Sequence, residues 1–310
     1  MENISWRQDL PQYLTPRITK MLLGLPKDVP VEEIRIRAGQ PLQVCLAGEE
    51  RMLVPPDGRA AATSQECGEM LLRICGHSLY AWSSELKNGF ITLTGGYRVG
   101  ICGKAVIEGD RMARFSDVTS FDIRIPHMRP GAADHVLPYL LDTEGRAVPS
   151  LLVSAPGCGK TTMLRDIARQ LSVGQHGAKA HRVAVVDSRY ELSGGGAFDL
   201  GPRTDVLSGL DRREGLPMLL RTMAPEVIVT DEIGVPADAH ALFAAATAGV
   251  CVIASLHATY AARERNTLLM KMRQEGVFLR FVYLGRSHGA GTVEHIERVT
   301  DATERMVSPC

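Results

Sequence analysis

The run LVSAPGCGKTT at residues 152–162 constrains this chain more than any other stretch. An apolar strand signal, Leu151–Val153, leads into Ser154, Ala155, Pro156, Gly157, Cys158 and Gly159, and a helical pattern opens at Lys160, Thr161 and Thr162. A strand, a glycine loop and a helix N-terminus in that order aim backbone N–H groups at anionic oxygens. Lys160 would reach the β- and γ-phosphates of a nucleotide, and the Thr161 hydroxyl would ligate Mg²⁺. Gly157 and Gly159 free the backbone to wrap closely around phosphate. Ser154 stands where the usual loop has its first glycine; a small residue suffices at a strand end, and Pro156 stiffens the loop. A Gly-Lys-Thr triplet alone is weak, since roughly 0.15 chance occurrences are expected in a chain of this length at average composition. The flanking strand and helix give it weight.

Three more apolar runs share the rhythm that begins near residue 150. RVAVVD ends at Asp187, EVIVTD at Asp231, and VCVIASL just before His257. Short, nearly continuous apolar runs between helical segments fit strands buried on both faces of a parallel sheet, whose ligands bind at the carboxyl ends of the strands. Asp231 would hold Mg²⁺ through a bound water, and Glu232 would orient or deprotonate an attacking water. Glu191, shortly after Asp187, competes with Glu232 for the role of general base. His257 gains its interest from the neighbouring strand ends, because a lone histidine is usually structural. The stretch from Ser193 to Asp205 reads as a glycine-rich loop carrying Arg203. Each of these sites also has a plainer reading as a solvated turn.

Before residue 130 the pattern changes. VEEIRIRAG alternates, with Ile34 and Ile36 on one face, Arg35 and Arg37 on the other, and Val31 apart. A helix follows around Gln65–Leu79, then strand, glycine turn and strand over 89–110 with a Gly-Asp turn at its end, then a short strand at 121–127. Pro126, Pro130 and Gly131 break regular structure, and a helix is expected over 132–141. The chain therefore reads as α/β, with a smaller α+β N-terminal domain over residues 1–130 and a mainly parallel P-loop domain over 131–310. Arg98 and Arg124 are candidates to reach a γ-phosphate across a domain or subunit junction, against an equal reading as solvent-facing strand arginines.

Charge and cysteines narrow the function classes. Thirty-five basic residues balance thirty-five acidic ones, which argues against a nucleic-acid partner. Seven scattered cysteines, none spaced as CxxC, suit a reducing cytoplasm rather than a disulfide framework or zinc site. The N-terminus has no signal layout. The most apolar run, 241–256, is short for a bilayer and is divided by Gly249 into helix and strand, so any membrane association is expected to be peripheral.

In order, SAPGCGKTT, VVDSRYE, APEVIVTDEIG and TAGVCVIASLHAT resemble the Walker A, Asp-box, Walker B and His-box motifs of the secretion ATPases, the RecA-like motors of type II and type IV secretion and of type IV pili. The resemblance is closer still to the stage III sporulation AA branch. It extends through EEIRIRAGQPLQV, YAWSSELKNGFITLTGGYRVGICGKAV, GPRTDVL and FLRFVYLGRSHGAGTV, most of residues 31–297. Tyr97, Ser188 and LDRREG depart from that branch's pattern, where histidine, an acid and a CPK-like stretch are usual. The resemblance implies a RecA-like ATPase using ATP and Mg²⁺ and assembled as a homo-hexamer, with nucleotide between its two domains and N-domain arginines closing over the phosphates. It also implies Glu191 as leading base and His257 as a γ-phosphate sensor. The setting it implies is the mother-cell cytoplasm of a spore former, docked on a membrane-embedded sporulation or secretion complex. A nucleic-acid-dependent ATPase and a nucleotide-gated scaffold with little turnover are the alternatives.

Overall fold

A computed structural model describes residues 6–55, 57–58, 60–108 and 111–299. The turn expected at Gly109–Asp110, the first five residues and Cys310 lie outside the described residues. The chain divides into two compact units, Met1–His127 with Gly194–Ala197, and Met128–Ser193 with Phe198–Cys310.

The first unit contains α1 (Trp6–Asp9), α2 (Pro16–Leu23), β1 (Val31–Arg37), β2 (Leu42–Leu46), β3 (Glu49–Leu53), α3 (Ser64–Ile74), α4 (Ser83–Lys87), β4 (Phe90–Thr92), β5 (Arg98–Glu108) and β6 (Arg111–Arg124). Its strands form an antiparallel sheet in the order β3-β2-β1-β6-β5-β4. Val31 is fully buried with Ile34 and Ile36, because a register shift between Val31 and Glu33 brings it onto the core face that strict alternation denies it. The helices begin where side chains can cap them. Thr63 accepts from the Glu66 amide at 3.2 Å while the Glu66 carboxylate accepts from the Thr63 amide at 2.7 Å, a reciprocal cap for α3. Thr15 caps α2 ahead of Pro16, whose missing N–H costs nothing in a first turn.

The second unit contains β7 (Ser150–Ser154), α5 (Lys160–Val173), β8 (Val183–Asp187), β9 (Thr204–Ser208), α6 (Arg212–Thr222), β10 (Val227–Ile233), α7 (Pro236–Thr247), β11 (Cys251–His257), α8 (Thr267–Gln274), β12 (Arg280–Gly285) and β13 (Thr292–Arg298). The sheet order is β13-β12-β7-β11-β10-β8-β9, parallel throughout except for the β12–β13 pair. Every residue of β7 and β8 is buried, as strands covered on both faces require. Leu151, Val153, Ala184, Ile228, Val252 and Phe281 join Leu216, Leu242 and Leu269 from the helices in one core cluster. Gly249, at φ +78°, separates α7 from β11.

Two expectations are corrected. Residues 132–141 hold only a short 3₁₀ turn, Leu137–Leu140, because Pro138 removes a donor that a longer helix needs. The stretch taken as loop up to Asp205 enters β9 at Thr204, and Arg203 is tied to the end of α5 by bonds to the Ser172 hydroxyl and carbonyl at 2.6 and 2.9 Å. Among the described residues no helix is long and apolar enough to cross a membrane.

Candidate functional site

The strands that carry the four motifs stand side by side as β7-β11-β10-β8. Their register brings the carboxyl ends together, with His257 opposite Ser154 and Thr230 opposite both Ala254 and Val186. From β7 the chain turns through Ala155 to Gly159, with Gly157 at φ +73° and Gly159 at φ +83°. That left-handed geometry is open to glycine at no steric cost, and it sets the first amides of α5 at the mouth of the loop.

Lys160 is only 5% exposed. Its Nζ lies 3.0 Å from the Ser154 carbonyl, the Ser154 hydroxyl, the Ala155 carbonyl and His257 Nδ1. Burial lowers its pKa, and the negative charge of Asp231 works against that shift. With Lys160 donating, His257 Nδ1 is the acceptor and Nε2 carries the proton, directed at Glu232 Oε1 3.5 Å away. Glu232 is held on its other oxygen by Arg189 at 2.5 Å.

Thr161 Oγ1 donates to Asp231 Oδ2 at 2.6 Å. The second oxygen of Asp231 accepts from the Ser255 hydroxyl and, at 2.8 Å, from the Glu232 amide. The β10–β11 ladder shifts register between Thr230 and Ile233, and Glu232 takes φ +34°. A non-glycine residue there is strained by about 1–3 kcal/mol, and such strain gathers where a site needs a particular orientation. Arg212 clamps this turn from α6, donating to the Asp231 carbonyl at 2.6 Å and to Asp238 Oδ2 at 2.8 Å. Asp238 also accepts from the Gly234 and Val235 amides, fixing the start of α7.

Asp187 ends β8 and folds the next segment onto itself. Oδ1 accepts from the Glu191 amide at 2.8 Å, and Oδ2 accepts from the Ser193 amide and hydroxyl, each at 2.7 Å. Glu191 and Glu232 line one cleft with Asp187, Ser188, Arg212 and Asp231. Two buried atoms of this lining, Ser188 Oγ and Arg212 Nε, have no hydrogen-bond partner among the described residues, which suits a cleft that holds polar species.

The residues fit a magnesium nucleotide. Magnesium takes one or two protein oxygens and completes its shell with phosphate and water. The paired Thr161 hydroxyl and Asp231 carboxylate are such oxygens, while no cluster of three or more His, Cys, Asp or Glu among the described residues offers a complete protein cage. Ala155, Pro156, Cys158 and Thr162 complete the loop and the first turn of α5. Arg98 and Arg124 lie in the first unit, directly paired across β5 and β6. Arg98 stacks 4.1 Å from the Phe90 ring centroid, and Arg124 sits 3.5 Å from Asp122 and 3.7 Å from Glu33. Ser255, Arg212 and Arg165 escape sequence reasoning, because nothing local marks a serine in mid-strand or an arginine in a helix as a neighbour of the Walker carboxylates.

Fold and site together define an α/β protein with a RecA-like P-loop unit, accompanied by an antiparallel-sheet unit. Solved structures agree on the fold. The Legionella pneumophila ATPase DotB superposes with a TM-score of 0.54 at 19% identity, over 82% of this chain and 72% of that one. The pilus retraction motor PilT with bound ADP gives 0.55 at 15% identity, over 86% and 76%. The sequence goes further: residues 5–302 match the family model for sporulation stage III, protein AA, and the chain belongs to that family. Stage III sporulation protein AA of Bacillus subtilis (strain 168) is 34% identical over 295 residues, 93% of this chain and 94% of the relative.

Proposed function

We propose that this chain is a Mg²⁺-dependent ATPase acting as a secretion-type motor on a membrane-embedded sporulation complex. The observation that supports it best is the convergence of the four strand ends, with Lys160 on His257 and Thr161 on Asp231 at hydrogen-bond distance. The amides of the loop and Lys160 bind the β- and γ-phosphates, and Thr161 and Asp231 hold Mg²⁺, which neutralises developing charge on the phosphate oxygens. Glu232 is engaged by Arg189 on one oxygen and faces His257 with the other, which suits it to orienting the attacking water. Glu191, which lines the same cleft just after the strand end at Asp187, is the general base in this reading. It takes the proton of the water that attacks the γ-phosphorus as the bond to the bridging oxygen of ADP breaks. His257, bonded to both Lys160 and Glu232, senses the γ-phosphate by exchanging one partner for it.

Motor output requires that nucleotide bind one arrangement of the protein better than another. A homo-hexamer at the mother-cell face of the membrane, held there peripherally by its partner and with Arg98 and Arg124 acting on phosphate from the N-terminal domain, is the assembly we infer. The test is steady-state phosphate release from Mg²⁺-ATP across a range of protein concentrations, with Lys160→Ala as control. Specific activity that climbs with concentration and vanishes in the variant supports a site completed by assembly. Release no higher than that of the variant at any concentration removes the ATPase reading in favour of a nucleotide-gated scaffold.

A further inference from the structure

We infer that Arg165 is a positioning residue for Glu191, linking the phosphate-loop helix to the acidic segment after β8. The inference rests on the reading of Glu191 as base and adds a residue to it. Arg165 lies in α5, five positions beyond Lys160, and is only 9% exposed. Its Nε donates to the Glu191 carbonyl at 3.0 Å, and its guanidinium carbon sits 4.2 Å from the centroid of the Phe198 ring. Through these two contacts one planar group touches both ends of the segment 191–198, while Asp187 holds the amides of Glu191 and Ser193.

Burying a guanidinium is costly unless nearby charge compensates it. Burial lowers the Arg165 pKa to about 10, and Asp231, Asp187 and Glu191 act in the opposite direction. The group therefore stays charged at neutral pH beside Asp231, Asp187 and Glu191. A neutral apolar side chain would pack there without that electrostatic cost, so the buried arginine has another use. Nε and the flat ring stack set the height and rotation of the Glu191 peptide relative to the helix whose N-terminus faces phosphate. Lysine cannot reproduce this, because it offers a point charge and no plane.

The experiment compares wild type, Arg165→Lys, Arg165→Met and Phe198→Leu, each alone and with Glu191→Gln. It measures kcat and KM for Mg²⁺-ATP, affinity for a fluorescent ATP analogue, and hydrogen exchange across residues 188–198. Arg165→Met is expected to lower kcat about ten- to a hundredfold, with analogue affinity changed less than about threefold. Arg165→Lys and Phe198→Leu should fall between it and wild type. In the Glu191→Gln background the Arg165 substitutions should cost almost nothing further, since both act through one group. Additive losses, or a fall in affinity as large as the fall in kcat, would overturn the inference. If wild type shows no turnover, the base assignment fails separately; the positioning role then stands or falls on exchange, which must quicken at 188–198 in Arg165→Met. Unchanged exchange there rejects it even in an active enzyme.

Discussion

Thr161 Oγ1 lies 2.6 Å from Asp231 Oδ2, joining the first turn of α5 to the end of a strand two places away in the sheet. A short bond between a hydroxyl and a carboxylate pre-forms the pair of oxygens that we propose engages a magnesium nucleotide. Asp231→Asn keeps the shape and removes the charge. We expect it to raise the Mg²⁺ concentration needed for half-maximal nucleotide binding by at least about tenfold, in keeping with the cost of losing a charged partner. A Mg²⁺ titration at fixed ATP analogue measures this, and an unchanged midpoint would remove Asp231 from the metal site.

Ser255 should matter more than its small size implies. Its fully buried hydroxyl bonds Asp231 and accepts from the Glu232 amide at 3.0 Å. Ser255→Ala strips a partner from both and is expected to destabilise the second unit by about 1–3 kcal/mol. Phosphate release should fall with it, while Ser255→Thr should recover part of both losses. Thermal melting beside turnover separates the two effects.

Replacing Gly159 by alanine tests the backbone alone. A Cβ there would stand 3.5 Å from the Gly291 amide nitrogen, which is ordinary contact, so space is not the obstacle. The φ of +83° is, and forcing an L-residue into it costs about 1–2 kcal/mol. Relief of that strain would turn the first amides of α5 away from phosphate. We expect nucleotide affinity to drop about tenfold or more with little change in melting temperature. Normal affinity in Gly159→Ala would show that the loop tolerates another path.

Tyr97, at the turn where the resemblance leads one to expect histidine, is built into the first unit. The side chain is fully buried, and its hydroxyl donates to Asp9 Oδ2 at 2.6 Å. Burial, followed by the carboxylate at its hydroxyl, pushes the phenol well above its usual range, so it remains a donor at every working pH. Tyr97→Phe should cost about 1–2 kcal/mol, read from denaturant unfolding, without altering nucleotide affinity. Loss of affinity instead would implicate this turn in the nucleotide site.

Cysteine alkylation gives a pH-dependent readout of the same unit. Burial raises the thiols of Cys67 and Cys75 to about 11. Only the thiolate reacts, and for such groups it makes up about one part in a thousand at pH 8, growing as pH climbs towards that value. Cys102 is exposed. Iodoacetamide at pH 8 should label Cys102 and spare Cys67 and Cys75 until the protein is unfolded, as peptide mass spectrometry will show. Rapid labelling of Cys67 in the native protein would contradict the packed core.

The division of information between sequence and tertiary structure follows from what each residue pattern can encode. Short β-branched runs and a glycine-to-helix transition are local facts, so the α/β class, the parallel sheet and the strand–loop–helix unit at 150–173 were legible without coordinates. Val31 was misplaced because a bulge interrupts the alternation on which the reading depends. The helix expected at 132–141 ignored the donor that Pro138 lacks. Strand order was beyond reach. Nothing in the chain's linear pattern states that β11 inserts between β7 and β10, yet that insertion puts Ser255 against Asp231 and His257 against Lys160. Such contacts join residues up to 97 positions apart. Backbone periodicity fixes which face a side chain takes on its own element, whereas only packing of the whole sheet decides which distant side chain it meets.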